Sequence, residues 1–473
     1  MYSRLGYFAL KTEVTENTAV IPDVFLGITA FDVVTDYLSN PSSPIFMDRN
    51  TKINPVKGPI DAPQGTVGIQ IEPKGVGYFL KAVFGAVTSG RYFPISSVTG
   101  TFAVGDVVTG GTSAATATVL AVSSENDYLI MGAPTGTFTA AGEAITAPGG
   151  KSATLGVNAS TVYGHEFKAP QTTLPTFTVE VGYDDMAVRL TGVRFPSINS
   201  LTQDDNIMGM ELAVFAMAEF KHARVTTAVT SGAGAKTIPL DQTLGLVATD
   251  TIKVFRPSTG AFLDFASSGV KTHTIGSVSA GASVAITNLQ TSLAVGDLIV
   301  LGNRTPSYSL AKEMSWIGGS VARVADTMTL ALTASAALAN IESFEMAITN
   351  EMEARHAALA TGVAGRFPSK NHLKGFMGNG TLRRAYLDQS FLDRLRNATK
   401  TCLNIRHTGD QIASTSVYYT LDWRMPNCIF SSWQPAFESD ALLEEEMPFD
   451  FYRETSPAYT SKALLVTDAT TYA

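Results

Sequence analysis

The stretch Gly65–Gly85, "GTVGIQIEPKGVGYFLKAVFG", changes its hydrophobic period halfway, and that change dictates what must surround it. Val67, Ile69 and Ile71 alternate with small or polar residues, the period of a half-buried strand. Beyond Glu72 and Pro73 the apolar residues fall at Val76, Phe79, Leu80, Val83 and Phe84, one stripe of a helix over 74–84. Pro73 suits the first turn and Gly85 the stop. An amphipathic helix fed directly by a strand is expected to lie flat on a sheet.

The pattern returns. At 380–398 the chain reads "GTLRRAYLDQSFLDRLRNA", where Gly380-Thr381 matches Gly65-Thr66 at an offset of 315 residues. Phe391, Leu392, Leu395 and Ala398 form its helix stripe over 388–398, with Asp388 at the N-cap position. "ITAFDVVTDYL" from Ile28 matches "IESFEMAITNEM" from Ile341 at an offset of 313, and Lys57-Gly58 matches Lys374-Gly375. The run from Leu190, "LTGVRFPSINSLTQDDNIMGMELAVFAMAEF", parallels the run from Asp422, "DWRMPNCIFSSWQPAFESDALLEEEMPFDFYRE". Four landmarks in one order read as an internal duplication. Leu382, Arg384 and Tyr386 stand where the first copy has Val67, Ile69 and Ile71, so that face is expected to be less buried in the second copy.

Gly/Thr/Ala-rich β material interrupts the copies. "TGTFAVGDVVTGG" at 99 returns as "TGTFTAAGEAITAPGG" at 135, with turns at Gly105-Asp106 and Gly142-Glu143, the signature of a small β-barrel or a pair of hairpins. Around Gln242-Thr243 and Gln290-Thr291 a second repeat runs at an offset of 48, and both segments carry A-V-G-D, at Ala103–Asp106 and Ala294–Asp297. The expected fold class is mainly β with minor α content. The division is 1–88 and 166–221 for the first module, 313–473 for the second, and 89–165 and 222–312 for two inserted β domains. Clean removal of 99–160 is expected to leave assembly largely intact.

The chain has 473 residues, 45% of them hydrophobic, and 16% charged, so much of its surface is neutral, as in subunits that hide surface in an assembly. A formal charge of −8 without a dense Lys/Arg run argues against sequence-independent nucleic-acid binding. Cys402 and Cys428 make no disulfide framework and fit a reducing compartment, although neighbouring strands would permit one bridge. The N-terminus lacks a signal-peptide core and no apolar run reaches membrane-spanning length, so a soluble chain made in the cytoplasm is expected, with no membrane insertion. "ELAVFAMAEF" at 211–220 reads as a core strand.

Catalytic patterns fail in turn. "SGAGAKT" (Ser231–Thr237) has Ala235 and Thr230 where a phosphate loop needs glycine, so it reads as a turn. No G-x-S-x-G elbow occurs. His165, His222, His273, His356, His372 and His407 lack metal-ligand spacing and read as surface or interface residues. Asp184-Asp185 and Asp204-Asp205 lie at turn-like positions, and Leu443–Glu446 reads as a solvated loop or strand edge. No catalytic residue, metal ligand or cofactor is expected, and the chain is read as a non-enzyme.

In order and pattern these landmarks resemble the tail tube proteins of long-tailed, siphophage-type bacteriophages. The resemblance rests on "GYFALKTEVTENTAVIPDVFLGITAFDV", "GTVGIQIEPKGVGYFLKAVFG", "FTVEVGYDDMAVRLTGVRFPSI", "SFEMAITNEME", "GTLRRAYLDQSFLDRL" and "MPNCIFSS". It covers 1–88, 166–221 and 313–473 and leaves out both inserts. It implies a structural virion protein of β-sandwich modules, each with a flanking helix, whose sheets join into a ring. Rings stack around a tape-measure protein, meet terminator and tail-tip proteins at the ends, and later pass DNA without binding it specifically. Single-module family members form hexameric rings, so two modules per chain imply a trimeric, pseudo-hexameric ring, with a true hexamer as the competing outcome. Two other readings share the pattern: a ring or hub protein at one tail end, and a surface-binding tail module acting through its inserted domains.

Overall fold

The computed structural model describes every residue except 1–4, 36–38, 43–53, 58–61, 124, 140, 159, 170–171, 184–185, 205–206, 310, 315–319, 326–340, 356–367, 369, 386–388, 437–443, 455–458 and 473. The described chain is mainly β, with two helices, α1 (Val76–Phe84) and α2 (Ser390–Arg396), among the strands.

The amphipathic stripe sets α1. Seven of its nine residues are buried. Pro73 lies ahead of the first turn, and the Glu72 carboxylate accepts the amides of Lys74 (3.0 Å) and Gly75 (2.6 Å), doing the work of a cap from outside the helix. Gly85 ends it with φ 87°, a left-handed geometry that glycine adopts without strain, and its amide donates to Lys81 O at 2.8 Å. In α2 the N-cap position belongs to Gln389, not Asp388, which lies outside the described residues. Phe391 is buried in this shorter helix, but Leu392 and Leu395 remain half-buried.

One antiparallel sheet runs through the chain. Its order is Ala30–Val34, Gln64–Gln70, Ile207–Phe215, Ser197–Asp204, then Ile341–Arg355, Lys370–Ala385, Glu444–Phe451 and Gln434–Ala436. Strand alternation puts Val67, Ile69, Leu212, Met346, Ile348, Leu382 and Met447 on the buried face. Gly65 and Gly380 sit where the neighbouring strand closes in: an added Cβ would stand 1.7 Å from Asp32 O at the first and 2.6 Å from Glu345 O at the second. Neither position has room for a side chain. The same sheet continues from Glu444–Phe451 into Tyr418–Phe430 and on to Thr401–Gln411, and together with Leu5–Thr12 and Phe177–Tyr183 these strands feed one apolar core that stretches from Phe8 to Tyr472.

The first insert closes on itself. Val87–Thr99 pairs with Tyr128–Met131, then the ladder continues through Thr116–Val122, Val107–Gly110, Ala144–Ala147 and Lys151–Leu155 back to Val87–Thr99. Phe102 and Phe138, which match in the repeat, share its core. The strands of 222–301 are hydrogen-bonded to Met186–Val193 through Leu301 and Ala187, and their core includes Tyr7, Ala9 and Phe220 from elsewhere in the chain. Both A-V-G-D stretches make the same turn. The aspartate accepts the alanine amide, Asp106 at 2.7 Å and Asp297 at 2.8 Å, and the glycine takes φ 92° at Gly105 and 95° at Gly296.

Arg384 corrects the expectation of an exposed second face. It is 2% exposed, donates through Nε to Glu445 Oε1 at 2.5 Å, and lies 4.2 Å from the Phe391 ring centroid. A paired charge replaces an aliphatic side chain there without opening the face to water.

Candidate assembly surfaces

The chemically suggestive residues scatter. Asp184-Asp185 and His356 lie outside the described residues, as do Asp205 and Leu443. Ser231–Thr237 is an exposed turn entering a strand, with the Gly234 amide on Asn288 Oδ1 at 3.0 Å. His222 and His372 are exposed and His273 half-buried. Cys402 and Cys428 are buried free thiols, and burial pushes the Cys428 thiol well up. Among the described residues no group of three or more His, Cys, Asp or Glu is placed to hold a metal ion.

Three expectations need correction. Glu445, read as part of a solvated run, is fully buried against Arg384, because Glu444–Phe451 is flanked by strands on both sides. His165 and His407 are buried rather than surface residues. The Nε2–H of His165 donates to Ala469 O (2.9 Å) and the Ser89 hydroxyl donates to its Nδ1 (2.8 Å), which a neutral ring satisfies. Burial holds His165 down to about 4 and His407 down to about 3, the latter against the opposing pull of Asp422.

Those shifts fix a pH dependence. Between the folded values and the ordinary value near 6.5, the unfolded chain binds protons at these rings and the folded chain does not. Stability is therefore lost as pH falls through that window, by about 2 kcal/mol for each ring at pH 5. Glu13 and Glu72, whose carboxyls burial raises, work the other way and offset part of the loss. Thermal melts should show Tm falling from pH 7.5 to pH 5, with a shallower fall in a His165→Gln variant. An unchanged Tm in the parent chain would contradict the buried neutral rings.

Two buried ionic seams bind the inserts to the host, and sequence reading missed both. Arg424 donates to Glu125 Oε2 (2.5 Å), Asp127 Oδ2 (2.7 Å) and Asp422 Oδ2 (2.8 Å), while Lys462 reaches Glu125 Oε2 at 3.1 Å. Burial works to raise the Asp422 pKa, but Arg424 and Arg406 overcome it and hold the carboxyl well below its usual range. At the second insert, Arg189 donates to Glu180 Oε2 (2.6 Å) and Asp250 Oδ2 (2.7 Å), and Arg304 braces the same two carboxylates. Arg189 and Arg424 lie 235 residues apart. A lone arginine inside an apolar alternation, as in "AVRLTGV", was the available signal. The first insert is thus no detachable appendage: removing 99–160 would strip Arg424 and Lys462 of Glu125 and Asp127.

The row of eight strands is open at both ends. Among the described residues Ala30–Val34 pairs only with Gln64–Gln70, and Gln434–Ala436 only with Glu444–Phe451. Its face away from the core exposes Asp32, Glu211, Glu345 and Glu446, together with the apolar Val34 and Met377. Arg383 lies among them, paired with Glu444. Beside the Ala30–Val34 edge opens an apolar groove of about 760 Å³, rimmed by Phe31 and Val33. No helix among the described residues is long and apolar enough to cross a membrane. No protein-family model matches the chain, and no curated protein is a significant match to it.

Proposed function

We propose that the chain is a tail tube subunit of a long-tailed bacteriophage, a structural virion protein built from two tube modules. The observation that carries this reading is the edge-to-edge junction inside the chain. Four strands in the order Ala30–Val34, Gln64–Gln70, Ile207–Phe215, Ser197–Asp204 are followed by four whose pairings run alike. Val33 opposite Gly65 corresponds to Met346 opposite Gly380, and Ser197–Asp204 of the first set pairs with Ile341–Arg355 of the second. Repeating that junction between chains joins Gln434–Ala436 of one copy to Ala30–Val34 of the next. Both open edges are then consumed, as ring closure requires.

Three chains supply six modules and close a pseudo-sixfold wall. The acid-rich face lines the channel and repels DNA passing through it, so the genome travels without adhering. Rings stack around the tape-measure protein, with terminator and tail-tip proteins at the ends. The inserts, one bolted to each module through Arg189 or Arg424, occupy the outer surface of the tail.

Electron microscopy of the purified protein tests this. The expected result is a hollow tube whose averaged cross-section contains three chains per ring. Six chains per ring would refute the duplicated-module wall, and a protein that stays monomeric at high concentration would refute the tube.

A further inference from the structure

We infer that the apolar groove beside Ala30–Val34 receives helix α2 of a second copy of this chain, with the second inserted domain as its outer jaw. The proposal rests on the ring reading and adds what seals each junction.

The chain contains its own precedent. Where Ser197–Asp204 pairs with Ile341–Arg355, helix α1 comes along and packs on the following module. Phe84 lies 6.0 Å from the Trp423 ring, and Asn350 Nδ2 donates to Val83 O at 3.1 Å. Strand pairing and helix docking therefore occur together, and they leave α1 buried on nearly every side. Helix α2 follows Lys370–Ala385 as α1 follows Gln64–Gln70, but it is less buried among the described residues. Leu392 and Leu395 stay half-buried, although their spacing makes an apolar stripe with Phe391.

The groove is the matching vacancy. Phe31 and Val33 form its rim, on the strand that the ring reading pairs with the next copy. Phe344 and Met346, at the corresponding positions of the second set, are 2% and 0% exposed, whereas Phe31 and Val33 are half-buried. Val188 and Leu190 supply the host wall, and Phe262 and Leu298 of the second insert face them. An amphipathic helix fits such a slot by laying its apolar stripe into it. On this reading the second insert is no passive decoration, because it completes the binding surface.

The experiment mixes chains carrying Leu395→Cys with chains carrying Met186→Cys, a half-exposed groove residue, and oxidises the assembled tubes. Cys402 and Cys428 are buried and contribute little background. A disulfide-linked pair with one chain of each kind is expected. Separately, Phe262→Glu should melt like the parent yet need at least about ten-fold more protein to assemble. Tubes that form without the mixed cross-link, or a Phe262→Glu chain that assembles at the parent's concentration, would overturn the groove assignment and leave the ring standing. Parent chains that never associate would overturn both. A groove filled instead by a small apolar ligand would give cross-link failure together with ligand released on denaturation.

Discussion

A Val33→Lys chain should fold and fail to assemble, whereas Met346→Lys should not fold at all. The two positions correspond across the repeated strand order, each opposite a glycine, Gly65 or Gly380. Met346 is sealed at 0% exposure because Ser197–Asp204 of the first set lies beside it. A lysine there buries an unpaired charge, at a cost of several kcal/mol, about the whole stability of an ordinary domain. Val33 is half-buried at an open edge, so a lysine can thread its stem along the groove and keep its ammonium in water. On the proposed ring, that position is buried when a second copy pairs with the edge, and an inward-pointing lysine is a strong block to such pairing. Sedimentation and thermal melts together check this: a parent-like Tm with loss of all large species is expected. A Val33→Lys chain that still forms tubes would place the junction elsewhere.

The second large effect is expected at Arg424. Replacing it with methionine preserves volume but leaves Glu125, Asp127 and Asp422 facing one another in a buried site with fewer cations. Breaking such a network from one side costs about 3–5 kcal/mol. Denaturant unfolding should register that loss, and adding Glu125→Gln with Asp127→Asn should recover a substantial part of it, because the stranded charges are then gone. A single-site loss below about 1 kcal/mol would mean the seam is hydrated and its pairs are worth no more than surface bridges. Arg189 is expected to behave alike, since Glu180 and Asp250 depend on it in the same way.

What could be read from the chain alone was whatever local period controls. The stripe Val76–Phe84 and the stop at Gly85 appear as written, because the spacing of apolar side chains and one left-handed residue decide them. The two Ala-Val-Gly-Asp turns were legible as well, because their geometry is set within four residues. The long-range partners were not. Arg384, Glu445 and His407 all looked like water-facing residues, because residue type predicts burial only when no partner waits across the fold. Glu445 lies 61 positions from Arg384, and Glu125 lies 299 from Arg424; no window along the chain brings such pairs together. The open edges were invisible for a related reason: an unpaired strand has the same composition as a paired one.

The seam at Arg424 also sets a schedule for synthesis. Glu125 leaves the ribosome 299 residues before Arg424 and 337 before Lys462, the cations that neutralise it. Tyr163–Ala169 waits equally long for Ser461–Thr467, its neighbour in the sheet. The N-terminal half therefore cannot mature as it emerges, and folding must be dominated by late contacts between distant segments, which are slow to form. A polypeptide released early would carry stranded carboxylates and a strand paired on one side only, to Val87–Thr99, which exposes it to proteolysis. Pairing of Ser461–Thr467 with Tyr163–Ala169 becomes the step on which the rest of the fold depends.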